Sequence, residues 1–386
     1  MVAGHLQEKN GVYYAVLSYR DATGKRKQPW INTGLPVKGN KKKAEKKLEE
    51  LRKKYEVQTG GSGELCSTML FADYMEHWLK IIKGSVEVTT YGSYSINVTK
   101  KIAPYFREKN LTLAGLQAKH LQTFYLHELE TVSGSSVQRE HANIHKALKY
   151  AVQLDLIPFN PADRVERPKA QKHVSTYYTA EEMEQFLELT KAHKLVLLFQ
   201  MTAFYGLRRS EVVGLKWEAI DFDRKIITIN HTVTQTCLEG KYIIVEKDRT
   251  KTKSSHRSLP LVEPFEKLLR SIKEQQEENR RVCGDSYCQD YKDYVYVNAL
   301  GQRIQPGYLT QAFPAFLEAH GLRRIRFHDL RHICASLLYA NGVALKDIQE
   351  WLGHSDISTT SNIYTHLDYS AKVASANAIL GYFPQE

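Results

Sequence analysis

Hydrophobic and polar residues change their rhythm several times along this chain. Over VYYAVLSY (12–19), and again over KQPWINTGL (27–35), aromatic and β-branched residues alternate with small or polar ones, the period of two of half-buried strands. DATGK (21–25) between them reads as a hairpin turn, and KGNKKKAEKKLEELRKKY (38–55) as a Lys/Glu-rich helix. GGSG (60–63) has the composition of a flexible linker.

From about Ser67 the period becomes helical. In TMLFADYMEHWLKIIKG, Leu70, Phe71, Tyr74, Trp78 and Ile81 share a face, with Gly84 placed as a C-cap. In SSVQREHANIHKALKYAVQLDLI, Val137, His141, Ile144, Leu148 and Ala151 do the same, and Ser135 and Gln138 have capping-box spacing. PFNPADRVERPKAQKHVS (158–175) has prolines towards both ends and basic residues between them, as an interdomain linker does. Thr179 and Glu182 form a second capping box, followed by helices, a strand-rich middle (224–260) and further helices. The prediction is a multi-domain chain: a small α+β module over 1–59, a linker 60–66, an all-α domain 67–161, a linker 162–177, and a mixed α+β domain 178–386.

Composition narrows the function. With 42% hydrophobic and 25% charged residues in 386, the chain can bury real cores. It contains no run of about 18 apolar residues, so no membrane-spanning helix is expected, and its first residues lack the apolar stretch of a secretory signal. Five cysteines, an odd number, fit a reducing cytosol, and the CGDSYC spacing of Cys283 and Cys288 does not suit zinc. His141 and His145 stand four apart with no third ligand apparent, which favours a packing or surface role over metal binding. Residues 1–60 carry 14 Lys+Arg and 6 Asp+Glu, or +8 of the total +11. A basic module at one end suggests a polyanionic partner, nucleic acid before membrane; a merely solubilising face is the alternative.

Candidate chemistry lies in the last segment. In FYGLRRSEVVGLKW (204–217), Arg208 and Arg209 precede a helix expected from about Glu211, where a guanidinium beside the helix N-terminus can hold a phosphate oxyanion. RFHDLRHICASLLYANG (326–342) sets His328 and Arg331 three apart on one helical face, with Ile333, Leu337 and Leu338 expected to bury the other and His332 pointing elsewhere. DIQEWLGHSDISTTSNIYTH (347–366) runs an apolar helix into Gly353 as C-cap and leaves His354 just beyond it. Asp356 or Ser358 can then cap a short element carrying Tyr364, and TKTKSSHRSLPL (250–261) sets Lys251 and Lys253 in a turn between strands.

Taken in order, GLRRSE, HDLRH, then LGH followed ten residues later by IYTH resemble a tyrosine recombinase. The whole chain is similar to integrases of conjugative transposons and temperate phages of Gram-positive hosts. The resemblance implies an arm-type DNA-binding domain, a helical core-binding domain and a catalytic domain. It implies an active-site set of Arg208, Lys251, His328, Arg331, His354 and Tyr364, with Lys253 left open as the alternative lysine. Arg208 is preferred to Arg209 because it directly follows Gly-Leu, and Tyr364 to Tyr369 for its spacing from His354. Glu211 matches a supporting position, and Asp329 is expected to cap a helix.

The same resemblance implies the chemistry. Tyr364 would attack a scissile phosphate gripped by Arg208 and Arg331, with His354 as a further donor, Lys251 protonating the departing 5′-oxygen and His328 assisting proton transfer. The product would be a 3′-phosphotyrosyl link and a free 5′-hydroxyl, with no metal or other cofactor. Implied partners are double-stranded DNA at core and arm sites, and further copies of the chain in a tetramer, coupled by a tail bearing Val373, Ile379, Leu380 and Phe383. An excisionase or DNA-bending protein is a further candidate partner, and the implied location is the bacterial cytoplasm, on the nucleoid. The rival readings are a resolution-type recombinase, a type IB topoisomerase and a catalytically silent DNA-binding regulator of the same fold.

Overall fold

A computed structural model of the chain describes residues 3–20, 26–59, 65–169, 178–248 and 257–354. The turn 21–25, the GGSG stretch, Lys251, Lys253, Asp356, Ser358, Tyr364, Tyr369 and the tail all lie outside the described residues. The chain divides into two compact units, Met1–Lys172 and His173–Glu386.

The first unit opens with an antiparallel hairpin of β1 (Ala3–Lys9) and β2 (Val12–Arg20). It closes at Asn10-Gly11, where φ is +55° and +74°, a mirror-image turn whose twist matches paired strands. The alternation pattern did not announce β1, because Leu6 is its only large apolar residue. β3 (Arg26–Lys27) and β4 (Trp30–Pro36) pair with β2, which makes β2 the central strand. Tyr13, Ala15 and Leu17 are buried together with Ala44 of α1 (Lys41–Thr59). The helix comes so close that a Cβ on Gly4 would lie 2.9 Å from Leu17 Cδ2 and 3.3 Å from Leu48 Cδ1. On the other sheet face Tyr14 and Val16 stand opposite Asn32 and Trp30. Lys9 Nζ lies 5.8 Å from the Trp30 ring, which is 48% exposed.

Next come α2 (Phe71–Ile82), α3 (Val88–Asn97), a π-helical turn Val98–Ile102, α4 (Ala103–Glu108), α5 (Ala118–Leu129) and α6 (Gly134–Gln153). Phe71, Phe106 and Phe124 centre an aromatic core, and Tyr74 donates to the Ala147 carbonyl at 2.6 Å. The buried stripe of α2 ends on Ile82, leaving Ile81 at the surface, since Trp78 and Ile82 are four apart and keep one face. Gly84 is not the cap: the helix ends at Lys83 in right-handed conformation. Nor do Ser135 and Gln138 cap α6, whose N-cap is Ser133; Gln138 Nε2 instead donates to the Pro168 carbonyl at 2.6 Å. His141 bonds Tyr125 Oη at 2.8 Å in the core, and His145 bonds Asp163 at 2.7 Å at the surface. Part of the stretch read as linker is structured, because Pro161–Arg164 forms a 3₁₀ turn against α5 and α6.

In the second unit the predicted capping box forms at the start of α7 (Ala180–Thr190), with Thr179 Oγ1 accepting from Glu182 N and Glu182 Oε2 from Thr179 N. α8 (Val196–Tyr205) is apolar on nearly every side and is the central core helix. After α9 (Arg209–Val213), β5 (Ile220–Asp221), β6 (Ile226–Ile229) and β9 (Arg257–Pro260) make a small antiparallel sheet, while β7 (His231–Leu238) and β8 (Lys241–Asp248) form a separate long hairpin. α10 (Glu263–Cys283), α11 (Pro306–Ala319), α12 (Asp329–Ala340) and α13 (Leu345–Leu352) complete it. Phe186, Phe199, Phe313, Phe316 and Phe327 pack through the core, edge-on in all of these pairs but the tilted Phe199–Phe316. Ile333 of α12 is buried as expected, but Leu337 is exposed.

Candidate active site

Two left-handed glycines form the floor of the site. α8 ends at Gly206 (φ +62°) and α13 at Gly353 (φ +67°), a backbone region in which a Cβ is disfavoured. Here the two chain reversals meet, for a Cβ on Gly206 would fall 2.3 Å from Leu352 Cδ2. Cys334 Sγ donates to the Phe204 carbonyl at 3.0 Å, and Trp351 stacks on Tyr205, so the junction is packed on both sides.

The carbonyls at this junction hold the two predicted arginines. Arg331, only 1% exposed, donates through Nη1 to Gly206 O and through Nη2 to Leu352 O at 2.6 Å. Arg208 donates through Nη2 to Gly353 O at 2.9 Å. It is the N-cap of α9, which starts two residues earlier than the sequence suggested, and Glu211 folds back over the helix start. Glu211 Oε1 accepts from Arg208 Nη1 at 2.8 Å and Oε2 from Arg208 N at 3.0 Å. That carboxylate, rather than a bound anion, occupies the positive end of this short helix.

The arrangement carries more positive than negative charge. Arg208, Arg331 and a third arginine, Arg257 of β9, gather around Glu211, with Arg257 Nη2 at 2.9 Å from Oε2. Burial by itself would raise the Glu211 pKa, but Arg257 and then Arg208 outweigh it and hold the group well below the usual range. Burial, reinforced by Arg208, pushes Arg331 down to about 9. Arg331 has neutral carbonyls as hydrogen-bond partners, and among the described residues its Nε has none. A buried cation without a matching anion is costly. A phosphate brought to these two forks would supply the missing charge and accept parallel N–H bonds.

Two histidines join them. His328 is the N-cap of α12, and burial, with help from His332 and Arg331, pushes it down to about 4. His354 follows Gly353, its N–H bonded to Gln349 O at 3.0 Å; burial, then Arg331 and Arg208, push it down to about 3. Both imidazoles are therefore neutral at neutral pH, each with one donor and one acceptor nitrogen. His332 does not point elsewhere: its ring meets His328 edge-on, with centroids 5.0 Å apart. Asp329 is not the cap expected of it: it is the first residue of α12, and its Oδ2 accepts from Arg326 N in the preceding turn at 2.8 Å.

Thus the structure brings Arg208, His328, Arg331 and His354 together, while Lys251 and Tyr364 fall outside the described residues. Sequence reasoning missed Arg257. Its signal was an arginine on the inward face of RSLPL, in register with Leu259 and Leu261, where an apolar residue is expected.

Residues 176–371 match the Phage integrase family, and residues 70–129 match the phage integrase N-terminal SAM-like domain. The chain belongs to the phage integrase family. It is 30% identical over 384 residues to the tyrosine recombinase XerC-like protein of Caldanaerobacter subterraneus, covering 93% of this chain and 94% of that one. It is 26% identical to the ICEBs1 integrase of Bacillus subtilis, again over 93% and 94%. Among solved structures, the Tn1549 transposon integrase in complex with a circular intermediate DNA superposes with a TM-score of 0.66 at 18% identity, over 80% of this chain and 98% of that one. A lambda integrase tetramer bound to a Holliday junction gives 0.55 at 16%, over 93% and 94%. These likenesses agree on the fold expected of a core-binding and a catalytic domain. No helix among the described residues is long and apolar enough to cross a membrane.

Proposed function

We propose that this protein is an integrase that cuts and rejoins DNA at specific sites through a covalent 3′-phosphotyrosyl intermediate on Tyr364, integrating and excising a mobile element. Family membership makes it a site-specific tyrosine recombinase. The observation that carries the detailed reading is the pair of a part-exposed Arg208 and a buried Arg331, both held on neutral carbonyls, with two neutral histidines beside it.

A tyrosine hydroxyl, with a pKa of about 10, needs a polarised target and a proton acceptor. In this reading Arg208 and Arg331 bind the non-bridging oxygens and offset the charge that grows on them in the transition state. His354 donates a further hydrogen bond, and His328, neutral at working pH, takes the Tyr364 proton. Lys251 protonates the departing 5′-oxygen. Attack by a second 5′-hydroxyl on the phosphotyrosine reverses the step and joins new partners. Every group in this scheme comes from the chain or the DNA. Incubation with a nicked core duplex in EDTA tests it: wild type and Tyr369→Phe form an SDS-resistant adduct, and Tyr364→Phe does not. An adduct with Tyr364→Phe, or none with wild type on its own end sequence, contradicts it.

The open face of the N-terminal sheet, with Lys9, Tyr14, Trp30 and Asn32, is proposed to contact arm-site DNA, since it pairs a cation, Lys9, with an exposed ring. Trp30→Ala then weakens binding to an arm duplex and leaves cleavage of a core duplex unchanged; equal arm binding would refute the assignment. Four copies are proposed to act together on two core sites in the bacterial cytoplasm, with an excisionase or DNA-bending protein assisting. Sedimentation of the protein–DNA complex tests the tetramer, and a mass of one or two protomers contradicts it.

A further inference from the structure

Arg257 is not among the six residues expected of the active site, yet it holds the group that holds Arg208. It opens β9 opposite Ile229, on the strand face that buries Leu259. Its Nη2 lies 2.9 Å from Glu211 Oε2 and its Nη1 3.3 Å from Oε1. The same two oxygens serve Arg208, at 2.8 Å from Nη1 and 3.0 Å from its backbone N–H. The Glu211 side chain is 0% and the Arg257 side chain 7% exposed, whereas Arg208 is 30% exposed. One carboxylate therefore bridges an arginine that a ligand can reach and one that it cannot.

An ionised carboxylate offers about four acceptor sites. Arg257 occupies one on each oxygen, which leaves Arg208 a single-edge grip and keeps its Nη2 on the Gly353 carbonyl. With Arg257 removed, Glu211 would lose the guanidinium that bonds both its oxygens and keep its side-chain hydrogen bond to Arg208. It would turn to chelate Arg208 at both edges, drawing Nη2 away from Gly353 and cancelling the charge meant for phosphate.

We propose that Arg257 is a positioning residue for strand cleavage: acting through Glu211, it holds Arg208 oriented and incompletely neutralised so that Arg208 meets the scissile phosphate as a cation. This rests on the reading of Arg208 as a phosphate clamp. A rival route exists, because β9 follows the stretch that carries Lys251, so Arg257 would act on the leaving group if it merely anchored that stretch.

The test is single-turnover cleavage by the full-length protein as wild type, Arg257→Met, Arg257→Lys, Arg208→Lys and the double variant Arg208→Lys/Arg257→Met. Each is assayed on an ordinary nicked duplex and on one with a 5′-bridging phosphorothiolate, whose sulfur departs without a proton. DNA affinity and melting temperature are measured alongside. Arg257→Met is expected to slow cleavage of the ordinary duplex by about ten- to a hundredfold, the worth of one charge-assisted contact, and Arg257→Lys to recover part of it. DNA affinity should stay within about threefold, as a group out of reach of phosphate requires. The double variant should be no slower than Arg208→Lys by more than about twofold, because the two residues act as one unit. The phosphorothiolate should not rescue Arg257→Met.

Wild-type rates in Arg257→Met, losses that multiply in the double variant, or full rescue by the phosphorothiolate would each overturn the proposal. If Arg257→Met does not fold, Arg257→Lys, which keeps the charge, takes its place in the cycle. A wild-type protein that cleaves neither substrate sinks the recombinase reading itself, and this inference with it.

Discussion

Arg208 and Arg331 donate to the carbonyls of two consecutive residues, Gly353 at 2.9 Å and Leu352 at 2.6 Å. The arginines come from opposite ends of the catalytic unit's sequence, one beside α9 and one within α12, and a single chain reversal holds both. Because the partners are neutral carbonyls, neither bond cancels a guanidinium charge.

Arg331→Lys tests that clamp. A lysine is a point donor and cannot span Gly206 O and Leu352 O together. Covalent adduct formation is expected to fall about a hundred- to a thousandfold, as for loss of one preorganised transition-state donor. Affinity for the core duplex, spread over many phosphates, should change little. Quench-flow cleavage and a binding titration check the two halves; a matched loss in both would count against a transition-state role.

Gly206→Ala probes the junction itself. The left-handed conformation and the 2.3 Å approach to Leu352 Cδ2 act together. The expected cost is roughly 2–5 kcal/mol from conformational strain and overpacking. Urea unfolding measures it, and the same variant should lose cleavage because the Gly206 carbonyl that holds Arg331 is displaced.

The buried histidines predict a pH dependence. The unfolded chain takes up a proton on His328 near pH 6.5, whereas the native protein resists until about 4. Below pH 6.5 the unfolded state therefore binds more protons, so this contribution to stability is present above 6.5 and is lost as pH falls towards 4. His354, held down to about 3, extends the loss further. Urea midpoints between pH 7 and 4 should decline, and the slope should flatten in His328→Gln; an equal slope would remove His328 from the explanation.

Much of the catalytic unit was legible because its signals are local. Gly353 as a left-handed cap, the Thr179–Glu182 box and the i, i+3 placement of His328 and Arg331 each depend on a few neighbouring residues. What failed depended on tertiary partners. Gln138 looked like a capping residue but reaches 30 positions along the chain to Pro168, and Ile81 yielded its place to Ile82 because Trp78 sets the buried face. Strand β1, with Leu6 as its one large apolar residue, forms because Asn10-Gly11 folds it onto β2. Arg257 was overlooked because its partner, Glu211, is 46 residues away, and a strand pattern does not reveal which inward position holds a charge.

The most direct test of the account is to digest the SDS-resistant protein–DNA adduct with trypsin and nuclease and fragment the modified peptide by mass spectrometry. Tyr364 and Tyr369 lie in the same tryptic peptide, residues 347–372, so fragmentation must place the nucleotide between them. The expected product is a 3′-linked nucleotide on Tyr364, with a free 5′-hydroxyl on the other cleaved end. A nucleotide on Tyr369 or on a serine, or a 5′-linked one, would contradict it.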